Sequence, residues 1–175
     1  MTDMFDRVTS QQDIFKKLLS KIPGFSGYIE RENRRSSDKV IRDTIAKRFE
    51  EIWGRISSLQ RDLIKDGNLK SVGDIESAAL KLRQFIDRVQ KASYGYSGFF
   101  DAVKINEKEL GLIYQYDLAM LDLADQVSKA ADNVETSMGT DGLPAAIRNL
   151  VNLSDQCVQT FEKRGEVITG MIQAQ

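Results

Sequence analysis

Side chains that move protons, attack carbonyls or hold metals are scarce in this chain. Among its 175 residues there is no histidine, so the commonest general acid/base and metal ligand is missing. Neither a Ser-His-Asp nor a Cys-His arrangement can form. The Glu-x-x-His motifs of di-iron bundles are ruled out for the same reason. Cys157 is the single cysteine, and zinc would have to be held mainly by carboxylates, which structural zinc sites do not favour. A lone thiol within a helical pattern reads as a small core residue in a reducing compartment, not as half of a disulfide.

Carboxylates and short glycine strings remain. Asp122 with Asp125, and Asp132 with Glu135, share helix faces and could coordinate a hard cation, but solvated surface is the simpler account. Gly95-Tyr96-Ser97-Gly98-Phe99 fails as a nucleophile elbow, which needs glycine two residues after the serine and a strand before it. Ser26 and Ser97 read as turn or N-cap residues. Neither connector has the phosphate-binding spacing of a Walker loop. Arg31, Arg34, Arg35, Lys39 and Arg42 make a basic stretch, but Glu30, Glu32 and Asp38 interrupt it and the net charge is -1, which argues against nucleic acid. No catalysis and no cofactor or metal is expected.

Helices must position whatever these residues do. Ile14, Phe15, Leu18, Leu19 and Ile22 recur at helical spacing in a first helix over 11–22, opposite Lys16, Lys17 and Lys21, and Pro23-Gly24 ends it. A second helix over about 28–66 carries Ile41, Ile45, Phe49, Ile52, Ile56, Leu59 and Leu63 in steps of three and four, as in a bundle or coiled-coil seam. Its polar opening, with Glu30 four before Arg34 and Asp38 four before Arg42, is expected to bury little. A third helix over about 74–91 has Ser71 and Asp74 spaced as a capping box and an apolar face of Ile75, Ala78, Ala79, Leu82, Phe85, Ile86 and Val89. The fourth is expected from a cap at Asn106 to about Met138, and the last from Pro144. No segment alternates with period two.

The fourth helix admits two seams. One steps through Leu110, Ile113, Asp117, Met120, Ala124, Val127, Ala131, Val134 and Met138, giving the aspartate a core slot where it would need a partner such as an arginine. The other runs through Tyr114, Leu118 and Leu121 and leaves Asp117 at its edge.

The expected fold is all-α: one domain over 1–175, an antiparallel bundle of three long or medium core helices with shorter flanking ones. Residues 1–23 form a detachable amphipathic helix. Connectors at 24–28 and 95–99 share Gly-aromatic-Ser-Gly-aromatic, 71 residues apart, and suggest a repeat of two hairpins, first helix with second and third with fourth. If the helices alternate, both connectors gather Phe25, Tyr28, Tyr94, Tyr96, Phe99 and Phe100 at one end, either as a contact site or as a plug over the core.

Basic residues outnumber acidic ones in 1–66 and the reverse holds in 67–175; the faces are read as solvated, or as pairing between subunits. The N-terminus carries Asp3 and Asp6 and no apolar run resembling an export signal, and none long enough to span a bilayer follows. The expectation is a cytoplasmic interaction protein, adaptor or assembly subunit, binding another protein or itself. Its candidate residues are the six aromatics with Arg31, Arg34 and Arg35. One alternative is a peripheral membrane protein held by Ile14, Phe15, Leu18 and Leu19, and a second is an enzyme that uses carboxylates or a bound cofactor.

Overall fold

The computed structural model describes residues 2–25, 34–92 and 107–173, and all the regular structure in them is helical. Among the described residues five helices follow in order: α1 Thr2–Lys21, α2 Arg34–Lys65, α3 Leu69–Lys91, α4 Glu107–Ser137 and α5 Leu143–Gln173. The expected all-α bundle is what the chain forms.

The turn from α2 to α3 shows how local sequence sets topology. Gly67 adopts φ 74°, a left-handed conformation that glycine enters without a Cβ penalty. Its N–H donates to the Ile64 carbonyl at 3.0 Å and that of Asn68 to Leu63 at 3.0 Å, the paired bonds of a Schellman stop. Asn68 then caps the next helix, its side-chain oxygen accepting from the Ser71 N–H at 3.3 Å. The expected capping box at Ser71 and Asp74 is thereby corrected: α3 starts at Leu69 and Ser71 lies buried in its first turn.

α2 packs on α3, α3 on α5, α5 on α4 and α4 on α2, which closes a ring of four. All seven seam residues of α2 are buried. Phe49 of α2 meets Phe85 of α3 with ring centres 4.6 Å apart, and Phe85 meets Phe161 of α5 edge-on at 6.1 Å. α4 buries residues of both candidate seams, with Ile113, Asp117, Met120, Val127, Ala131 and Leu121 all at 0% exposure and Leu110, Leu118 and Met138 partly buried, so the reading that left Asp117 at an edge is corrected. It needs the broader face because it touches α5, α2 and α1.

Ion pairs fix the direction of each neighbour. Lys81 pairs with Asp155 at 2.6 Å, and seven residues on Arg88 pairs with Glu162. Both span 74 positions in the same sense, so α3 and α5 run parallel. α2 and α4 are parallel too: Arg48 and Ile52 line one recess with Ala124 and Ser128, and Arg55 further on bonds Asp132. The structural hairpins are thus α2–α3 and α4–α5, side by side in parallel. The expected pairing of the first helix with the second and the third with the fourth is corrected, because the short turns lie at Gly67 and Gly139, where φ is 74° and 75°.

α1 is docked. Leu18 and Ile22 are 0% and 1% exposed, Ile14 and Phe15 pack half-buried against the core, and Leu19 stays 42% exposed. Lys21 Nζ donates to Asp122 at 3.0 Å and Asp125 at 3.2 Å, while its carbonyl accepts from Arg48 of α2 at 2.9 Å. The end of α1 therefore sits over the α2–α4 side of the ring. The uneven charge along the chain is spent here, within the molecule: Arg55 likewise reaches Asp132, with Glu135 at 3.8 Å.

Candidate functional site

The aromatic and basic candidates divide into described and undescribed residues. Phe25 is buried at 4% exposure. Its ring lies 6.1 Å from Phe15 and 6.1 Å, edge-on, from Tyr114, and those two are 5.7 Å apart. For Phe25 the plug is what forms. Tyr28, Arg31, Tyr94, Tyr96, Phe99 and Phe100 lie outside the described residues, as do the side chains of Arg34 and Arg35. Of the four residues assigned to a bilayer, Leu18 is core and Ile14 and Phe15 pack against it. No described helix is long and apolar enough to cross a membrane.

The densest polar constellation was legible only in fragments. Arg164 of α5 is 1% exposed, Asp117 of α4 0%, Asp38 of α2 2% and Arg42 of α2 5%. Arg164 donates through Nε to Asp117 at 2.8 Å and through a terminal nitrogen to Asp38 at 2.7 Å. The other oxygen of Asp38 accepts from Arg42 Nε at 2.7 Å. Arg42 continues to the carbonyls of Val89 and Gln90 at the end of α3, at 3.2 and 3.4 Å. Four helices meet in this cluster of two arginines and two aspartates. In the described part of the polar opening of α2, Ser37 and Asp38 are buried, as is Arg42 just beyond it, against the expectation that this stretch buries little, while Ser36 and Lys39 stay exposed. Asp38 and Arg42 can be buried because each charge finds an opposite one, which offsets its desolvation. The pattern Asp38-x-x-x-Arg42 showed in the sequence, but Arg164 stands 126 residues from Asp38, so no local signal joined them.

The carboxylates weighed as cation ligands are engaged elsewhere: Asp122 and Asp125 with Lys21, Asp132 and Glu135 with Arg55. The Asp122 hydrogen bond is the main cause that raises the Lys21 pKa, with burial opposing it. Among the described residues no group of three or more histidines, cysteines or carboxylates is arranged to hold a metal. Burial pushes the Cys157 thiol up to about 12, so it holds its proton and is a poor nucleophile at neutral pH.

The surface feature that sequence reasoning missed lies on the α3–α5 side of the ring, opposite the side that α1 covers. A groove of about 710 Å³ opens there over Phe161, between Leu80, Gln84 and Arg88 of α3 and Glu162 and Gly165 of α5. Leu80 stands 65% exposed at its lip. Further along the same helix pair a recess of about 460 Å³ runs between Lys70, Asp74 and Ser77 and Pro144, Arg148 and Asn152, with Ile147 and Val151 also lining it. A signal existed: Leu80 is a large apolar residue beside the α3 stripe, out of phase with it.

Comparison with protein-family models, with curated proteins and with solved structures gives no match for this chain.

Proposed function

We propose that the chain works by binding, as an adaptor or a subunit of an assembly in the cytoplasm, and carries out no chemistry of its own. The observation that supports this best is the α3–α5 groove, where Leu80 is 65% exposed beside an apolar floor. Leaving a leucine in water at such a recess forgoes hydrophobic stabilisation of about 1.5–3 kcal/mol, which a partner's apolar side chain would recover. The charged groups of the interior support the same reading, since Arg42, Asp38, Arg164 and Asp117 are spent on holding four helices together. A single cysteine that keeps its proton is compatible with a reducing compartment.

The test is crosslinking in the native cell followed by purification of the tagged full chain and of its Leu80→Glu variant. A stoichiometric partner, or a defined oligomer of the chain, supports the reading. A chain that stays uncrosslinked and elutes as a lone monomer overturns it.

A further inference from the structure

From the α3–α5 face we infer the kind of partner: an amphipathic helix with acidic flanks, lying along the valley between the two parallel helices. This rests on the binding function proposed above and adds the chemistry of what is bound.

The geometry supplies a track. The groove and the recess are lined in succession from Lys70 to Lys91 along α3, a distance of ~32 Å at 1.5 Å per residue. Apolar side chains line both parts, Ile147 and Val151 in the recess, Leu80 and Phe161 in the groove. Two parallel helices leave between them a furrow into which a third can set residues at i, i+3, i+4 and i+7. On the opposite side of the ring, α1 already uses the α2–α4 side in this way with Leu18 and Ile22. It is held there by Lys21 on the acidic α4.

Charge selects the occupant. Along the valley Lys81 is paired with Asp155, Arg83 with Asp87 and Arg88 with Glu162. Among the described residues Lys70, Lys91 and Arg148 are in no ion pair, and of the lining carboxylates only Asp74 is likewise unengaged. The face is therefore positive in net terms. A second copy presenting the same face would meet like charge, so twofold self-association through it is disfavoured. A helix with Glu or Asp flanking its apolar stripe is complementary.

A displayed library of amphipathic helices tests this, with leucine fixed on one stripe and the flanking positions randomised over Glu, Lys and Gln. It is panned on the full chain, with Leu80→Glu protein as the counter-selection. Enriched helices are expected to carry Glu at the flanks and to lose affinity about tenfold or more on Leu80→Glu, as for a central interface anchor. Binding should weaken with added salt. Combined Lys70→Glu, Lys91→Glu and Arg148→Glu should turn the selection toward Lys. Gln84→Glu, which keeps the leucine in place, should weaken acidic helices and spare basic ones. Circular dichroism checks that each variant stays folded. Enrichment of Lys on the unaltered chain, or of binders indifferent to both Leu80→Glu and Gln84→Glu, overturns the proposal, as does a dimer that Leu80→Glu breaks. Crosslinking in the native cell separates the two levels: a partner held at another surface overturns the acidic helix alone, and no partner at all overturns the binding function with it.

Discussion

Arg164 shows what one side chain can do for a bundle. Its guanidinium bonds Asp117 and Asp38 at once, at 2.8 and 2.7 Å, and is 1% exposed. Removing one partner of such a group leaves charge buried without compensation, which costs about 3–5 kcal/mol. Arg164→Met should therefore lower stability by about that amount in a urea titration. Arg55→Ala, whose pair with Asp132 is 40% and 60% exposed, should cost at most about 1 kcal/mol. Equal effects would mean that water reaches the Arg164 cluster. Cys157 makes a second prediction. Its thiol is raised from an ordinary value near 9 to about 12 by burial, so its stabilising effect is complete below about pH 9 and is lost as pH rises toward 12, because only the unfolded chain then ionises readily. The stability advantage of the wild type over Cys157→Ala should shrink above pH 9 by up to ~1.4 kcal/mol per pH unit. An advantage that stays constant with pH would show the thiol to be reached by water.

Helix ends are decided by a few backbone bonds, and the start of α3 is the clearest instance. Asn68 is both the residue that closes the stop of α2 and the N-cap of α3. Asn68→Ala should cost about 1 kcal/mol, while Asp74→Ala, in the expected capping box, should change stability by less than ~0.5 kcal/mol. The reverse order would restore the capping box. The sequence was a sound guide on α2 and α3, where one apolar stripe serves both neighbours in the ring. All seven positions from Ile41 to Leu63 lie in the core, as do Ile75, Ala78, Ala79, Leu82, Phe85, Ile86 and Val89 of α3. It was ambiguous on α4, where three neighbours bury residues of two stripes, and the reading that left Asp117 at an edge fails because Asp117 is inside. It misled at the opening of α2, since polarity predicts exposure unless each charge has a partner. The partner there comes from α5, and no spacing within one helix can announce it. The candidate site was less legible still, because Leu80 becomes notable only once α5 is known to leave it uncovered.

At the scale of the molecule the consequential fact is that the two hairpins lie parallel. The short turns at Gly67 and Gly139 make α2 antiparallel to α3 and α4 to α5, but they leave open how one hairpin meets the other. The end of α3 lies beside the start of α2, where Arg42 bonds the Val89 and Gln90 carbonyls, and the first half of α4 lies at that end too, where Asp117 shares Arg164 with Asp38. The two parallel pairs flank opposite sides of the ring, the α2–α4 side that α1 covers and the α3–α5 side proposed to take a partner. Parallel packing also brings Lys81 and Asp155 together, 33% and 42% exposed with their charged atoms 2.6 Å apart. Cysteines at both positions should therefore join through a short bis-maleimide in the folded monomer, without help from the buried Cys157. A second pair, at Lys81 and Glu166, provides the control, since Glu166 lies eleven residues further along α5, ~16 Å beyond Asp155 at 1.5 Å per residue. Joining of the Lys81–Asp155 pair and not of the Lys81–Glu166 pair places Asp155 beside Lys81, and joining of a further cysteine pair at Arg88 and Glu162, seven residues on in both helices, fixes the direction as parallel. If the second pair joins as readily as the first, α5 does not sit in that register, and the valley through Leu80 would have to be redrawn with it.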